Sequence, residues 1–284
     1  MKPNQKGKIF LIVLIISVFF SVQCAVFGAD KLKTWVPGEV DNSVSSKLLK
    51  LDIDEETTYV LPRPLVLFKL LSESKFSFPS KTEIKTETRY QTETKKALNL
   101  GSRCATGIAM MYGEPSESDK QKIGTTILSL AKSLDLIAGL EKEVTALQKS
   151  FGSATKKDTE ILIDDIFAST EVLFNDRADQ HLAVFVSLGG WIKALQISTK
   201  SLSMDYNAEA SKVLSQGNVI DVYIKSLSGI SELVKNRPAL ESINEALPTI
   251  KKLVTVKNNG PIPEENIKQL LIIATQLNEK IETR

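Results

Sequence analysis

The amino-acid sequence predicts an all-α protein: an antiparallel array of about seven to nine helices, set behind an N-terminal leader and a polar arm. Three observations carry that prediction. From about Thr92 to the C-terminus, apolar residues recur at spacings of three and four, the period of a helix with one buried stripe. Pro, Gly, Ser and Asn fall at the ends of those periodic stretches, where helices start and stop. Nowhere does a run of alternating apolar residues bounded by turn signals argue for a sheet. Each one-sided helix must bury its stripe against another, and an antiparallel array is the economical way to do so.

Residues 1–28 read as a secretory signal peptide. Lys2, Lys6 and Lys8 precede an apolar run from Ile9 to Val22, and Val26 and Gly28 suit the two slim positions before a cleavage site. Two alternatives share the same compartment. Cys24 could be an acylated lipoprotein cysteine, although Ser21-Val22-Gln23 is a poor lead-in. Ile9 to Gly28 could also stay as an uncleaved anchor, being about long enough to cross a bilayer. All three place the chain in the periplasm or cell envelope. The whole chain carries 36 Lys and Arg against 34 Asp and Glu, and loss of the three leader lysines leaves 33 against 34. A near-neutral protein has no field to draw nucleic acid toward it, so no nucleic-acid partner is expected. Membrane contact is expected only through the N-terminal segment, if it is retained. The mature chain then holds one cysteine, Cys104, which cannot form an internal bridge and is expected to be buried as a small hydrophobe.

Residues 29–60 form a polar arm with Pro37-Gly38 and no sustained period, and residues 61–284 form the helical domain. Pro64 suits the first turn of a short helix over Leu65 to Ser72. Lys75 to Gln91 is rich in Thr, Glu and Lys and reads as a loop or the solvated start of the next helix. That helix begins near Thr92. Ile123, Ile127, Leu130, Leu134 and Ile137 mark another, started by Pro115-Ser116. Gly139 should break it before Leu140, Val144, Leu147 and Phe151 continue the stripe. Asp158 caps a helix whose buried stripe is assigned to Ile161, Leu162, Ile166 and Leu173. Ala178 to Leu202 is apolar on more than one face and so belongs at the centre. Tyr206 to Lys235 follows with Gly217 as a weak point, then Ala239 to Val254, which Pro248 should kink or restart. After the turn Asn258-Asn259-Gly260-Pro261, the residues Ile267, Leu270, Leu271, Ala274, Leu277 and Ile281 make the cleanest stripe in the chain.

Chemistry is sparse. With one His (His181) and one mature Cys, zinc sites built from those ligands are excluded, and so is a di-iron site needing two Glu-x-x-His pairs. His181 reads as a helix-start residue. There is no nucleophile elbow, phosphate loop or dinucleotide fingerprint, and no metal or cofactor is expected. Glu160, Asp164 and Asp165 could bind calcium or act as an acid/base pair if they faced a cleft. With Ile161, Leu162 and Ile166 buried, the same helix would turn its acids to water. Glycine inside a helix costs about 1 kcal/mol against alanine and calls for a reason. Gly101 and Gly107 flank Cys104 in a small surface suited to helix docking. Gly189-Gly190 set Trp191 beside a gap that could be core packing or a pocket.

Two stretches carry a resemblance. Lys95-Lys96-Ala97-Leu98-Asn99-Leu100-Gly101 resembles the "kALNLG" opening of an uncharacterised family of exported helical bacterial proteins. Leu188-Gly189-Gly190-Trp191-Ile192 resembles that family's "GGW(I/V)" signature, followed by Ala194 to Thr199 in place of a "gLyiAT"-like stretch. Asn175-Asp176-Arg177 and the helix near Pro64 also fit. After Gly101 the family continues with a Tyr and an Asp, where this chain has Ser102-Arg103-Cys104-Ala105-Thr106-Gly107. The resemblance implies a helical fold and export, and attaches no activity.

The expectation is therefore a non-enzymatic exported protein with a binding or structural role, partnered by another envelope protein or by itself. Two alternatives follow. One is a carrier of a small apolar ligand between helices near Trp191, Gly190 and Gly107; the other is a hydrolase using the clustered carboxylates.

Overall fold

A computed structural model describes residues 50–54, 57–60, 63–150, 155–177, 179–231, 234 and 237–283. The leader 1–28 and arm residues 29–49 lie outside the described residues.

Two short strands open the described chain, β1 (Lys50–Asp54) and β2 (Thr57–Val60), paired antiparallel with Leu51 opposite Tyr59. This end of the arm had been read as lacking a period. The alternation Lys50-Leu51-Asp52-Ile53-Asp54 and the β-branched Thr57, Thr58 and Val60 do favour strands, but over lengths too short to stand out. The other regular elements among the described residues are helices. The first helix is α1 (Pro64–Glu73), with Pro in its first turn as predicted. From Glu93 onward the described residues form nine more: α2 (Glu93–Tyr112), α3 (Glu117–Ser133), α4 (Glu141–Ser150), α5 (Lys156–Asp176), α6 (Gln180–Met204), α7 (Ala208–Val213), α8 (Gly217–Ser228), α9 (Pro238–Val254) and α10 (Glu264–Glu282). The expected all-α array is the observed fold.

Local signals set the helix ends. Thr92 caps α2 by accepting from the Lys95 amide at 3.2 Å. Ser116 and Asp119 close a capping box on α3. The start of α5 is capped by Thr155, with Asp158 as its reciprocal partner at the third helical position rather than as the cap itself. Helix α3 stops at Ser133, short of Ile137, because the chain turns through Asp135 at φ 55°. Helix α9 runs on through Pro248. Pro248 and Asn244, whose carbonyl loses its helical partner there, are both exposed, so water can meet the freed group.

Helix α6 is the axis of the array. It packs most extensively on α2, then on α10 and α5. Among the described residues it is the one helix long and apolar enough to cross a membrane, yet 94% of that apolar window is buried inside the protein. Two glycines let α2 and α6 touch backbone to backbone. A Cβ on Gly101 would sit 1.8 Å from the Val186 carbonyl oxygen, and one on Gly189 would sit 2.0 Å from the Leu98 oxygen. The two stretches that carry the family resemblance are thus the two sides of one helix crossing.

Helix α10 lies along α6 and ends against α2, whose side chains meet its terminal carbonyls. Asn99 Nδ2 donates to the Ile281 oxygen at 2.7 Å, Tyr90 Oη (from the segment before α2) to the Glu282 oxygen at 3.4 Å, and Lys95 Nζ to the Thr283 oxygen. A helix C-terminus leaves carbonyls unsatisfied and carries partial negative charge, so donors and cations from Lys95, Asn99 and Arg103 suit it twice over.

Candidate functional site

The residues singled out from the sequence are packed into the core. Gly107 faces away from α6, with a Cβ position 2.8 Å from Ile163 Cδ1 and 3.3 Å from Ile123 Cγ1. Cys104 is fully buried on the same helix, and burial pushes its thiol pKa up, so it is an inert hydrophobe. Gly190 lies against Phe167 and Pro64 at 3.0 and 3.1 Å from a Cβ position. Trp191 is 4% exposed; its Nε1 donates to Gln216 Oε1 at 3.2 Å, and its ring is 5.5 Å from Tyr223. The Gly101 carbonyl of α2 stands 3.3 Å from the Gly190 Cβ position. His181 is the second residue of α6, half-buried and edge-on to Phe185, as a helix-start residue should be.

The acids of α5 correct the sequence reading. Ile161 is 41% exposed, while Glu160 and Asp164 are buried. The buried stripe is Ile163, Ile166, Phe167, Thr170 and Phe174, and the acids flank it. Each of the first two has a dedicated partner: Glu160 Oε1 accepts from Tyr112 Oη at 2.8 Å, and Asp164 Oδ2 from Arg63 at 2.8 Å. Asp165, the third acid of the proposed set, is only half-buried on this helix. Glu171 differs from both. It is 1% exposed, and neither carboxyl oxygen has a hydrogen-bond partner among the described residues. Burial holds its pKa well above the usual carboxylate range; Arg63 pulls down and Asp164 pushes up. Burial without a hydrogen bond thus favours its protonated form.

The polar geometry that faces solvent lies elsewhere, in a cleft of about 420 Å3 bounded by three segments. Its rim is the irregular stretch before α2, with Pro79, Lys81, Thr82, Glu83 and Lys85. One wall is α6, with Lys193, Gln196, Ile197 and Lys200, and the other is α10, with Leu271, Thr275, Asn278, Glu279 and Glu282. At the floor, Lys193 is only 7% exposed. Its Nζ donates to Gln196 Oε1 at 3.0 Å and to Glu282 Oε1 at 3.3 Å. Beneath it, fully buried Arg103 holds the same Glu282 oxygen at 2.8 Å. Burial lowers the Lys193 pKa, and the Glu282 carboxylate pulls it back up. Asn278 is 1% exposed, its Nδ2 donating to the Ala274 and Ile192 oxygens at 2.9 and 3.3 Å. Its Oδ1 accepts from nothing among the described residues, and the same holds for Thr82 Oγ1.

Sequence reasoning passed over Lys193, Asn278, Arg103 and Glu282. The signal available was a charged or amide side chain set among residues that pack: Lys193 two places after Trp191, Arg103 between Gly101 and Gly107, and Asn278 beside Leu277 of the cleanest stripe. What no local pattern holds is their meeting, since Arg103 and Glu282 stand 179 residues apart.

No protein-family model, curated protein or solved structure matches this chain. Its class is therefore defined by its own geometry, an all-helical array with a polar cleft between its axial helix and its last one.

Proposed function

We propose that this chain is an exported, non-enzymatic helical protein of the periplasm or cell envelope that works by binding, and that the cleft between the 79–85 segment, α6 and α10 is its recognition surface. Export is supported by the charged, apolar and small-residue order of residues 1–28. One observation carries the binding role. Asn278 and Lys193 line a cleft of ligand size, both nearly excluded from water, and the first has an acceptor left unmet. A cleft that sets the nearly buried ammonium of Lys193 among Gln196, Lys81 and Lys200 suits a small polar solute better than it suits a protein surface. The non-enzymatic part is supported by Glu160, Asp164 and Glu171 of α5, the first two held by Tyr112 and Arg63 and the third enclosed in the core.

The test is native mass spectrometry of the protein released from the periplasmic fraction without denaturation. A bound solute that is absent from Lys193→Met supports the proposal. Recovery in the cytosol, or an identical mass for both proteins, counts against it.

A further inference from the structure

We infer that the cleft takes a small dicarboxylate, and that Glu83 holds the place of one of its carboxylates until the solute arrives; this rests on the binding role proposed above. The lining is uneven in charge. Lys81, Lys85, Lys193 and Lys200 line the cleft, with Arg103 beneath its floor, against Glu83, Glu279 and Glu282. Of these acids, Glu282 is already held by Arg103 and Lys193. Lys193 and Lys200 are seven residues apart on α6, which sets them on one face of it, about 10 Å apart along the axis.

Glu83 shows what that charge collects. Its carboxylate accepts from Lys85 Nζ, and this hydrogen bond draws its pKa down; burial opposes the shift, and the charges of Lys85, Lys193 and Lys200 lower it further. A carboxylate thus lies in the field of three ammonium groups, one from the rim and two from the α6 wall. A solute carboxylate in the same position feels the same three charges. The tether that Glu83 supplies is weak. Residues 79–85 make no backbone–backbone hydrogen bond among the described residues, and the Glu83 side chain is 75% exposed. So exposed an ion pair contributes little to stability, and a solute can displace it. With Glu83 displaced, the five cations meet Glu279 and Glu282 among the lining residues, a surplus of three positive charges that suits a dianion better than a monoanion. Ile197 and Leu271 line the same cleft and offer apolar surface to the methylenes between two carboxylates.

Isothermal titration of the purified protein uses glutarate, the monoacid pentanoate of the same length, and inorganic phosphate. Glutarate is expected to bind several-fold more tightly than pentanoate. Glu83→Gln removes the resident charge but keeps its bulk, and should tighten glutarate about tenfold. Glu264→Gln removes the same charge from α10 outside the cleft and should leave glutarate unchanged. Lys200→Gln, at an exposed position, should weaken glutarate several-fold. An unchanged glutarate affinity in Glu83→Gln overturns the inference, as does an equal gain in both glutamate variants or equal binding of glutarate and pentanoate. Phosphate binding without glutarate binding also overturns it and leaves the binding role standing. Silence to all three probes overturns the inference, and the native mass then decides the binding role: a solute held by the wild type and lost from Lys193→Met keeps that role, and identical masses remove it too.

Discussion

Glu171 is a buried carboxyl with neither oxygen hydrogen-bonded among the described residues. Burial beside Asp164, with neither oxygen hydrogen-bonded, favours the protonated form of this acid and raises its pKa. Its folded pKa lies above the unfolded value of about 4.3, so the folded state binds the extra proton. Its contribution to stability is whole below that unfolded value and is lost as pH rises through the folded pKa. Glu171→Gln keeps the shape and removes the titration. The variant should gain on wild type between pH 4.5 and pH 8, by about 1–3 kcal/mol at the upper end in urea unfolding. Two stability curves that stay parallel across that range would contradict the assignment. Arg103 makes the opposite case. It is fully buried, yet it donates to Glu282, Asn99 and the Tyr90 hydroxyl, and its removal leaves the Glu282 carboxylate to Lys193 at 3.3 Å and Ser102 Oγ at 3.5 Å. Arg103→Met should cost about 2–4 kcal/mol in the same assay, with the loss concentrated in the docking of α10. A change below about 0.5 kcal/mol would mean that the latch carries no load.

At the scale of elements, the decisive contact is the crossing of α2 and α6. Alanine at a helical glycine normally gains about 1 kcal/mol of propensity. At Gly101 and Gly189 the new Cβ would meet backbone oxygens at 1.8 and 2.0 Å, which no rotamer can relieve. Gly101→Ala and Gly189→Ala should each destabilise by about 3 kcal/mol or more. Gly229→Ala, where the nearest atom is 3.7 Å away at an ordinary φ of −78°, should stay within about 0.5 kcal/mol. If all three behaved alike under denaturant, close approach would not be the reason for these glycines. The pairing of Gly101 with Gly189 has no local signal, but close packing at Gly101 was legible in the sequence, because glycine in a helix announces a cost that only close packing offsets. The face of α5 was not. Ile161, Leu162 and Ile163 are three consecutive apolar residues that serve two helical phases equally well. The phase that buries Ile161, Leu162 and Ile166 turns Glu160 and Asp164 to water. Arg63, 101 residues upstream, buries Asp164 by neutralising it, and a local pattern contains no trace of that partner.

Across the whole molecule the same division holds. The helix count, the central place of α6 and the amphipathic α10 follow from periodicity, since burial of one stripe is a local property of each segment. The cleft belongs to three segments at once, and its floor depends on where α6 and α10 are set by α2. Ile197 and Leu271 would read as plain core positions in any one helix; only the rim of residues 79–85 makes them walls. Lys193 can stand at the floor only if α6 is buried along its length and fixed by the contact at Gly189. Native-state hydrogen exchange tests that arrangement directly. Amides of α2 around Gly101 and of α6 around Gly189 should exchange only through global unfolding, with opening free energies equal to the stability measured in urea. Amides of α6 that exchanged as fast as those of the short outer helix α7 would contradict it, and the cleft would lose the axis on which it is built.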